Sequence, residues 1–61
     1  MNINDSVQFT DQSPQSLAVA GEIGVITATE SRDGTECANV TFSTYGAEFT
    51  GIAVSRLAVV G

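Results

Sequence analysis

Apolar and polar residues alternate in several short stretches of the chain, a pattern typical of β-strands that bury one face. The clearest case is the stretch 36–44, where Ala38, Val40 and Phe42 would share one face and Cys37 would lie among polar residues on the other. Such stretches recur about every 8–12 residues with turn signals between them, as in small all-β domains. The pattern predicts strands over residues 5–10, 21–29, 36–44, 49–53 and 58–60.

The segments between the predicted strands carry turn signals of different strength. Residues 11–16 are polar and contain the only proline of the chain, which predicts a loop. Leu17-Ala18-Val19-Ala20 fits either a short turn of helix or a loop that covers one end of the core. Asp33-Gly34 predicts a tight hairpin turn, because both positions accept the positive φ that such turns require. Tyr45-Gly46-Ala47 predicts a further turn, and Val54–Leu57 a single 3₁₀ turn.

A helix over residues 17–29 is the main alternative to the second strand. Gly21 and Gly24 would each cost such a helix about 1 kcal/mol. The β-branched residues that follow them suit a pleated surface better than a helix, so we predict a strand. The inward-facing apolar positions then predict a core of Val7, Phe9, Ile26, Ala28, Val40, Phe42, Phe49 and Leu57.

The order of apolar and glycine positions carries a family resemblance over nearly the whole chain. The positions concerned are Asp5-Ser6-Val7-Gln8-Phe9, a loop, Gly21-x-x-Gly24-x-Ile26, the Asp-Gly turn, Val40-x-Phe42 and Val54-x-x-Leu57-x-Val59. This order resembles SH3-like barrels of the KOW type. It is also similar to the small barrels attached to photosynthetic redox complexes, such as the ferredoxin–thioredoxin reductase variable chain and the peripheral barrel subunit of photosystem I. The resemblance implies an all-β fold, a single five-stranded SH3-like barrel over residues 1–61.

The loops of this chain depart from those families in charge. KOW modules that bind RNA carry basic loops, and the redox-complex barrels help to dock ferredoxin, which is acidic. Here the loops hold Asp11, Glu30, Asp33 and Glu48. Like-charged surfaces associate slowly and disfavour the complex. The resemblance therefore supports the fold and argues against those two functions.

The charge balance narrows the choice of partners further. Seven acidic residues stand against Arg32 and Arg56, there is no lysine, and the formal net charge is −5. Nucleic-acid binding draws most of its affinity from basic side chains that neutralise phosphates, and anionic membranes attract proteins in the same way. We therefore expect no nucleic acid and no membrane as partners. A basic or an apolar protein surface fits better.

The residue inventory argues against catalysis. There is no histidine, and Cys37 is the only cysteine, so no internal disulfide can form and no base can activate the thiol. Gly21 to Gly24 lack a neighbouring basic residue, which disfavours a phosphate loop. The carboxylates that flank Asp33-Gly34 are too few for a calcium site. We expect no enzyme activity, no catalytic residue, no metal, no cofactor and no small-molecule substrate, with Cys37 an inert thiol.

The C-terminal apolar stretch is the strongest interaction signal in the sequence. A domain of 61 residues can bury only part of the run 52–60, and exposed apolar surfaces mark interfaces. The alternative is that all its apolar side chains lie in the core. Tyr45 would lie at the rim of the barrel with its hydroxyl in water, or with Phe49 would form a groove for proline-rich peptides. The predicted partner-binding residues are Ile52, Val54, Val59, Val60 and Tyr45.

These observations predict a non-enzymatic subunit that docks onto a larger protein complex. A core of this size supplies only about 3–5 kcal/mol, so association with a protein partner, including further copies of the chain, would add stability. The lysine-free, Ala/Thr/Val/Gly-rich composition is similar to that of virion accessory proteins, such as capsid decoration or cement proteins. The alternative is a small regulatory or docking subunit of a redox or other enzyme complex. The N-terminus lacks the features of a signal peptide, which predicts cytoplasmic synthesis, with the virion as one destination.

Overall fold

Five antiparallel strands form one sheet in the computed structural model, which describes residues 1–43 and 46–60. A five-residue helix, α1 (Pro14–Ala18), follows the first strand, and a 3₁₀ turn (Val54–Arg56) precedes the last. The sheet order is β4-β3-β2-β1-β5, so β1 lies between β2 and the C-terminal strand. The strands are β1 (Ser6–Phe9), β2 (Gly24–Arg32), β3 (Thr35–Phe42), β4 (Ala47–Ala53) and β5 (Leu57–Val59).

The structure confirms the predicted all-β class, and each predicted strand is present with shifted ends. The open question at Leu17-Ala18-Val19-Ala20 resolves as the end of α1 and the turn after it. Ser13 caps this helix, since its Oγ accepts a hydrogen bond from the Ser16 amide at 3.2 Å. β4 and β5 form the two edges of the sheet and do not pair with each other among the described residues. Closure of the sheet into a barrel therefore stays a prediction.

The core lies on one face of the sheet and is organised around three aromatic rings. The Phe9 and Phe42 rings stack with centroids 5.7 Å apart, and the half-buried Phe49 ring lies 6.0 and 5.9 Å from them. Predicted core positions are thus largely confirmed. The buried apolar cluster consists of Val7, Phe9, Val19, Ile26, Ala38, Val40, Phe42, Ile52 and Leu57.

Two β-bulges change the burial pattern that simple alternation predicts. The register shifts between Ile26 and Ala28 in the β2–β3 pair and between Ala38 and Val40 in the β3–β4 pair. Bulges bend a strand and increase its twist. Ala28 is consequently only half-buried, and its assignment to the core is wrong. Cys37 is buried rather than exposed among polar neighbours.

Candidate functional site

The face of the sheet opposite the core carries an uncharged, partly apolar surface across β5, β1 and β2. Opposed residues of paired strands project on the same side. Ser6, which neighbours the buried Val7 and so points outward, pairs with Val25 of β2. The Val60 amide donates to the Ser6 carbonyl at 2.8 Å, which continues the β1–β5 register and places Val60 on the other side of Ser6. These three residues therefore form one row on the outer face.

A second row extends this surface toward the β1–β2 connection. Gln8 faces outward two residues after Ser6 and pairs with Ala58. Its side-chain amide donates to the Gly21 carbonyl, which ties the connection to the outer face. Ile23 precedes Val25 by two positions, the spacing at which strand side chains return to the same face. We call this surface the outer-face patch; it consists of Ser6, Gln8, Ile23, Val25, Ala58 and Val60.

Exposure and charge mark the outer-face patch as unusual for this protein. Ile23 and Val25 are 54% and 40% exposed, and Ala58 and Val60 are half-buried. None of its six members is charged, although the chain carries a net charge of −5. Contiguous uncharged surface with exposed aliphatic side chains is typical of protein interfaces. The outer-face patch can exclude water against a complementary partner surface but holds no reactive group.

The sequence-predicted docking residues do not form one surface. Ile52 is 2% exposed and belongs to the core, so its assignment to an exposed surface is wrong. The reason is that β4 pairs Ile52 with the buried Ala38. Val54 is half-buried and packs against the core. Val60 lies in the outer-face patch, and Tyr45 lies outside the described residues.

Val59 is exposed but belongs to the opposite side of the sheet. It pairs with Val7, whose side chain points into the core, and is 56% exposed because β5 ends there. Ile23 and Val25 are not among the residues predicted from the sequence to bind a partner. The alternation around the buried Ile26 is the signal that could have found them.

A polar network around Arg56 is the most extensive side-chain constellation in the described residues. Arg56 Nε lies 2.6 Å from Asp11 Oδ2, and Nη2 donates to Ser13 Oγ at 2.7 Å. The guanidinium carbon lies 5.3 Å from the centroid of the Phe9 ring, a cation–π contact. The backbone carbonyl of Arg56 accepts a hydrogen bond from the Thr10 amide at 2.9 Å. Arg56 thus ties the β1–α1 connection to the 3₁₀ turn, and we interpret the network as structural.

Acid is expected to weaken this network through Asp11. The hydrogen bond from Arg56 holds the pKa of Asp11 below its ordinary value, against a smaller opposing effect of desolvation. A carboxyl group of this kind stabilises the fold above its unfolded pKa of about 3.9, and the stabilisation is lost as pH falls through the folded value. Arg56→Met should therefore be less stable than the wild type at neutral pH, with the difference narrowing below about pH 4. Urea denaturation of the wild type and the variant, from neutral to acidic pH, measures the difference in their free energies of unfolding.

Arg32→Met is the matched control for that experiment. Arg32 pairs with Glu30 at 2.9 Å, but both side chains are largely solvent-exposed. Exposed pairs contribute about 0–1 kcal/mol, so this variant should stay close to the wild type at neutral pH. Equal losses in the two variants, or a difference that does not depend on pH, would contradict the role assigned to Asp11.

Two further features of the described residues bear on the kind of site. Within residues 1–43 and 46–60, no group of three or more His, Cys, Asp or Glu side chains is placed to hold a metal ion. No helix in that part of the chain is both long and apolar enough to cross a membrane. Comparisons of the sequence and the structure with protein-family models, curated proteins and solved structures found no match.

Proposed function

We propose that this chain is a non-enzymatic assembly subunit that docks onto a larger protein complex through the outer-face patch. The observation that carries the proposal is the uncharged row Val60–Ser6–Val25 on the solvent face of an otherwise acidic protein. The residues that could have served chemistry have other roles in the fold. Asp11, Ser13 and Arg56 hold a connection in place, and the Cys37 thiol is buried.

The proposal extends to the kind of partner. The acidic remainder of the surface keeps the free subunit soluble and repels nucleic acid and anionic lipid. A protein surface that is apolar at its centre and neutral or basic around it complements this arrangement. Among such assemblies we favour a virion, with the chain as a capsid decoration or cement protein, on the lysine-free composition. Genes for capsid and tail proteins beside its own gene would support that choice, and genes for a reductase or dehydrogenase would favour the enzyme-complex alternative.

A charge introduced into the outer-face patch is expected to weaken docking while leaving the fold intact. Val25→Asp buries a carboxylate at the interface when the complex forms, which should weaken binding at least about tenfold, or 1.4 kcal/mol. Because Val25 is 40% exposed, its replacement should cost the isolated domain only about 1 kcal/mol. Tagged wild-type and variant chains are used to recover a defined complex from the native source. Mass spectrometry then gives the composition and stoichiometry of each recovered complex.

Leu17→Asp provides the matched control for this experiment. Leu17 is an exposed apolar residue, 68% accessible, on α1 and outside the outer-face patch. The same change of charge at Leu17 should leave recovery of the complex unchanged. Equal recovery by wild type and Val25→Asp, with both folded by circular dichroism, would rule out the outer-face patch as the docking surface.

A further inference from the structure

The β2–β3 hairpin extends beyond the rest of the sheet as an arm. All eight residues from Thr29 to Glu36 are exposed, on both faces of the hairpin. β1 pairs with β2 only at Val25 and Gly24, and the neighbouring hydrogen bonds end at Ile26. The chain turns away there, since Asn4 has a φ of 77° and the Asp5 amide bonds back to the Asn2 carbonyl at 3.1 Å. The β1 side of the arm is thus left open.

The open edge of the arm presents backbone groups that lack a partner among the described residues. Asp33 and Gly34 form a two-residue turn with φ values of 50° and 78°. In such a hairpin the residues that flank the turn, here Arg32 and Thr35, exchange hydrogen bonds, and the direction then alternates along the strand. The amide and carbonyl groups of Thr29 and Ser31 therefore point away from β3. They face the open edge.

A shallow groove lies beside this edge. Ser31 pairs with Glu36 and Thr29 with Ala38, so Thr29, Ser31 and Glu36 share one face of the arm. Together with Glu30 and Gly34 they line the groove. Thr29 and Ser31 have short side chains, so a long side chain that enters from the open edge can pass over Ser31 and reach the Glu36 carboxylate. With Glu30, Asp33 and Glu36 against Arg32, the arm carries two more negative than positive charges.

We propose that the open edge of β2 accepts an extended basic segment of a protein partner as an added strand. Backbone groups of Thr29 and Ser31 pair with the segment, and a Lys or Arg side chain opposite Ser31 binds Glu36. Strand addition of this kind draws affinity from the backbone and specificity from the side-chain positions. The acidic charge of the arm favours a basic segment over a second copy of this chain, whose arm carries the same charge. The inference rests on the proposed docking role but uses a surface separate from the outer-face patch.

The test uses a short peptide of alternating lysine and valine, with a copy methylated at every backbone nitrogen as its control. Both peptides carry the same charge, but the methylated one cannot form a strand ladder. Titration into the full chain, followed by amide NMR, should show saturable binding of the first peptide alone, with slowed hydrogen exchange at Thr29 and Ser31. Equal binding of both peptides would overturn the proposal, because it would show attraction by charge alone.

Variants of the chain separate the backbone and side-chain contributions. Ser31→Pro removes the outward-facing amide without removing a hydrogen bond to β3, and should weaken peptide binding at least about tenfold. Ser31→Ala keeps both the amide and a short side chain, and should bind as the wild type does. Glu36→Gln should weaken peptide binding at least about threefold. Glu22→Gln makes the same charge change at an exposed residue outside the arm, and should leave peptide binding within about twofold of the wild type.

The outcomes distinguish this inference from the docking role on which it rests. Undiminished binding by Ser31→Pro, in a variant whose thermal melting matches that of Ser31→Ala, would overturn strand addition at β2. If the Thr29 and Ser31 amides exchange slowly in concentrated protein without peptide, the strand added at this edge comes from a second copy of the chain. That result would overturn the proposal of a basic segment. Either result leaves the Val25→Asp experiment unaffected, since that experiment reads the outer-face patch.

Discussion

Phe42→Ala is expected to unfold most of the protein at room temperature. Phe42 is fully buried and contacts both other phenylalanine rings of the core. Truncation of a buried phenylalanine costs about 3–5 kcal/mol. A domain of this size has about 3–5 kcal/mol to lose. The expected result is loss of the β-sheet circular dichroism signal and of a cooperative thermal transition.

Two controls separate the loss of packing from other effects of the substitution. Phe42→Leu keeps most of the buried apolar volume and should cost clearly less than the alanine variant. Thr41→Ala changes the adjacent position, whose side chain lies on the outer face and bonds to Glu48 at 3.3 Å, and should cost about 0.5 kcal/mol or less. A Phe42→Ala variant that melts at the wild-type temperature would show that the aromatic cluster does not hold this fold together.

Gly24→Ala is expected to destabilise the protein by about 1–3 kcal/mol through overpacking. Gly24 lies where β2 crosses the core, and its φ is not in the left-handed region, so backbone strain is not the cause. A Cβ atom at this position would lie 2.6 Å from Val40 Cγ1 and 2.8 Å from Phe42 Cε2. Both distances are too short for carbon atoms in contact. The free energy of unfolding from urea denaturation gives the cost.

A double-mutant cycle with Val40→Ala tests the stated cause. Val40→Ala removes the atom that the new methyl group would meet most closely. The double variant should therefore lose less free energy of unfolding than the two single losses added together, by about 0.5–3 kcal/mol. Strictly additive losses would mean that the cost of Gly24→Ala arises elsewhere, such as from the backbone conformation.

The candidate site could be predicted only in part from the sequence. The apolar C-terminal run indicated an interface, and Val60 lies in the outer-face patch. Hydropathy does not distinguish a buried isoleucine from an exposed one. Ile52 is buried because β4 pairs it with the buried Ala38. Arg56 and Asp11 are separated by 45 positions. No local pattern links two residues so far apart in the chain.

Local sequence signals predicted the five strands of this protein, whereas residues 14–16, which were predicted as part of a loop, begin α1. Strand alternation has a period of two, and Asp33-Gly34 supplies the backbone angles of a two-residue hairpin. These signals lie within a few residues of one another. They are sufficient to place the strands, the Asp33-Gly34 turn and the 3₁₀ turn before β5, and to identify most of the core. The all-β class follows from local information of this kind.

The sheet order, the bulges and the two candidate surfaces depend on contacts between segments that are distant in the sequence. β1 pairs with both β2 and β5, so residues from the two ends of the chain meet in the outer-face patch. The register shift between Ile26 and Ala28 leaves Ala28 half-buried, although simple alternation places it in the core. The open edge at Thr29 and Ser31 exists because the chain turns away at Asn4. Each of these features depends on which segments lie side by side, and pairing between distant segments leaves no periodic trace in the sequence.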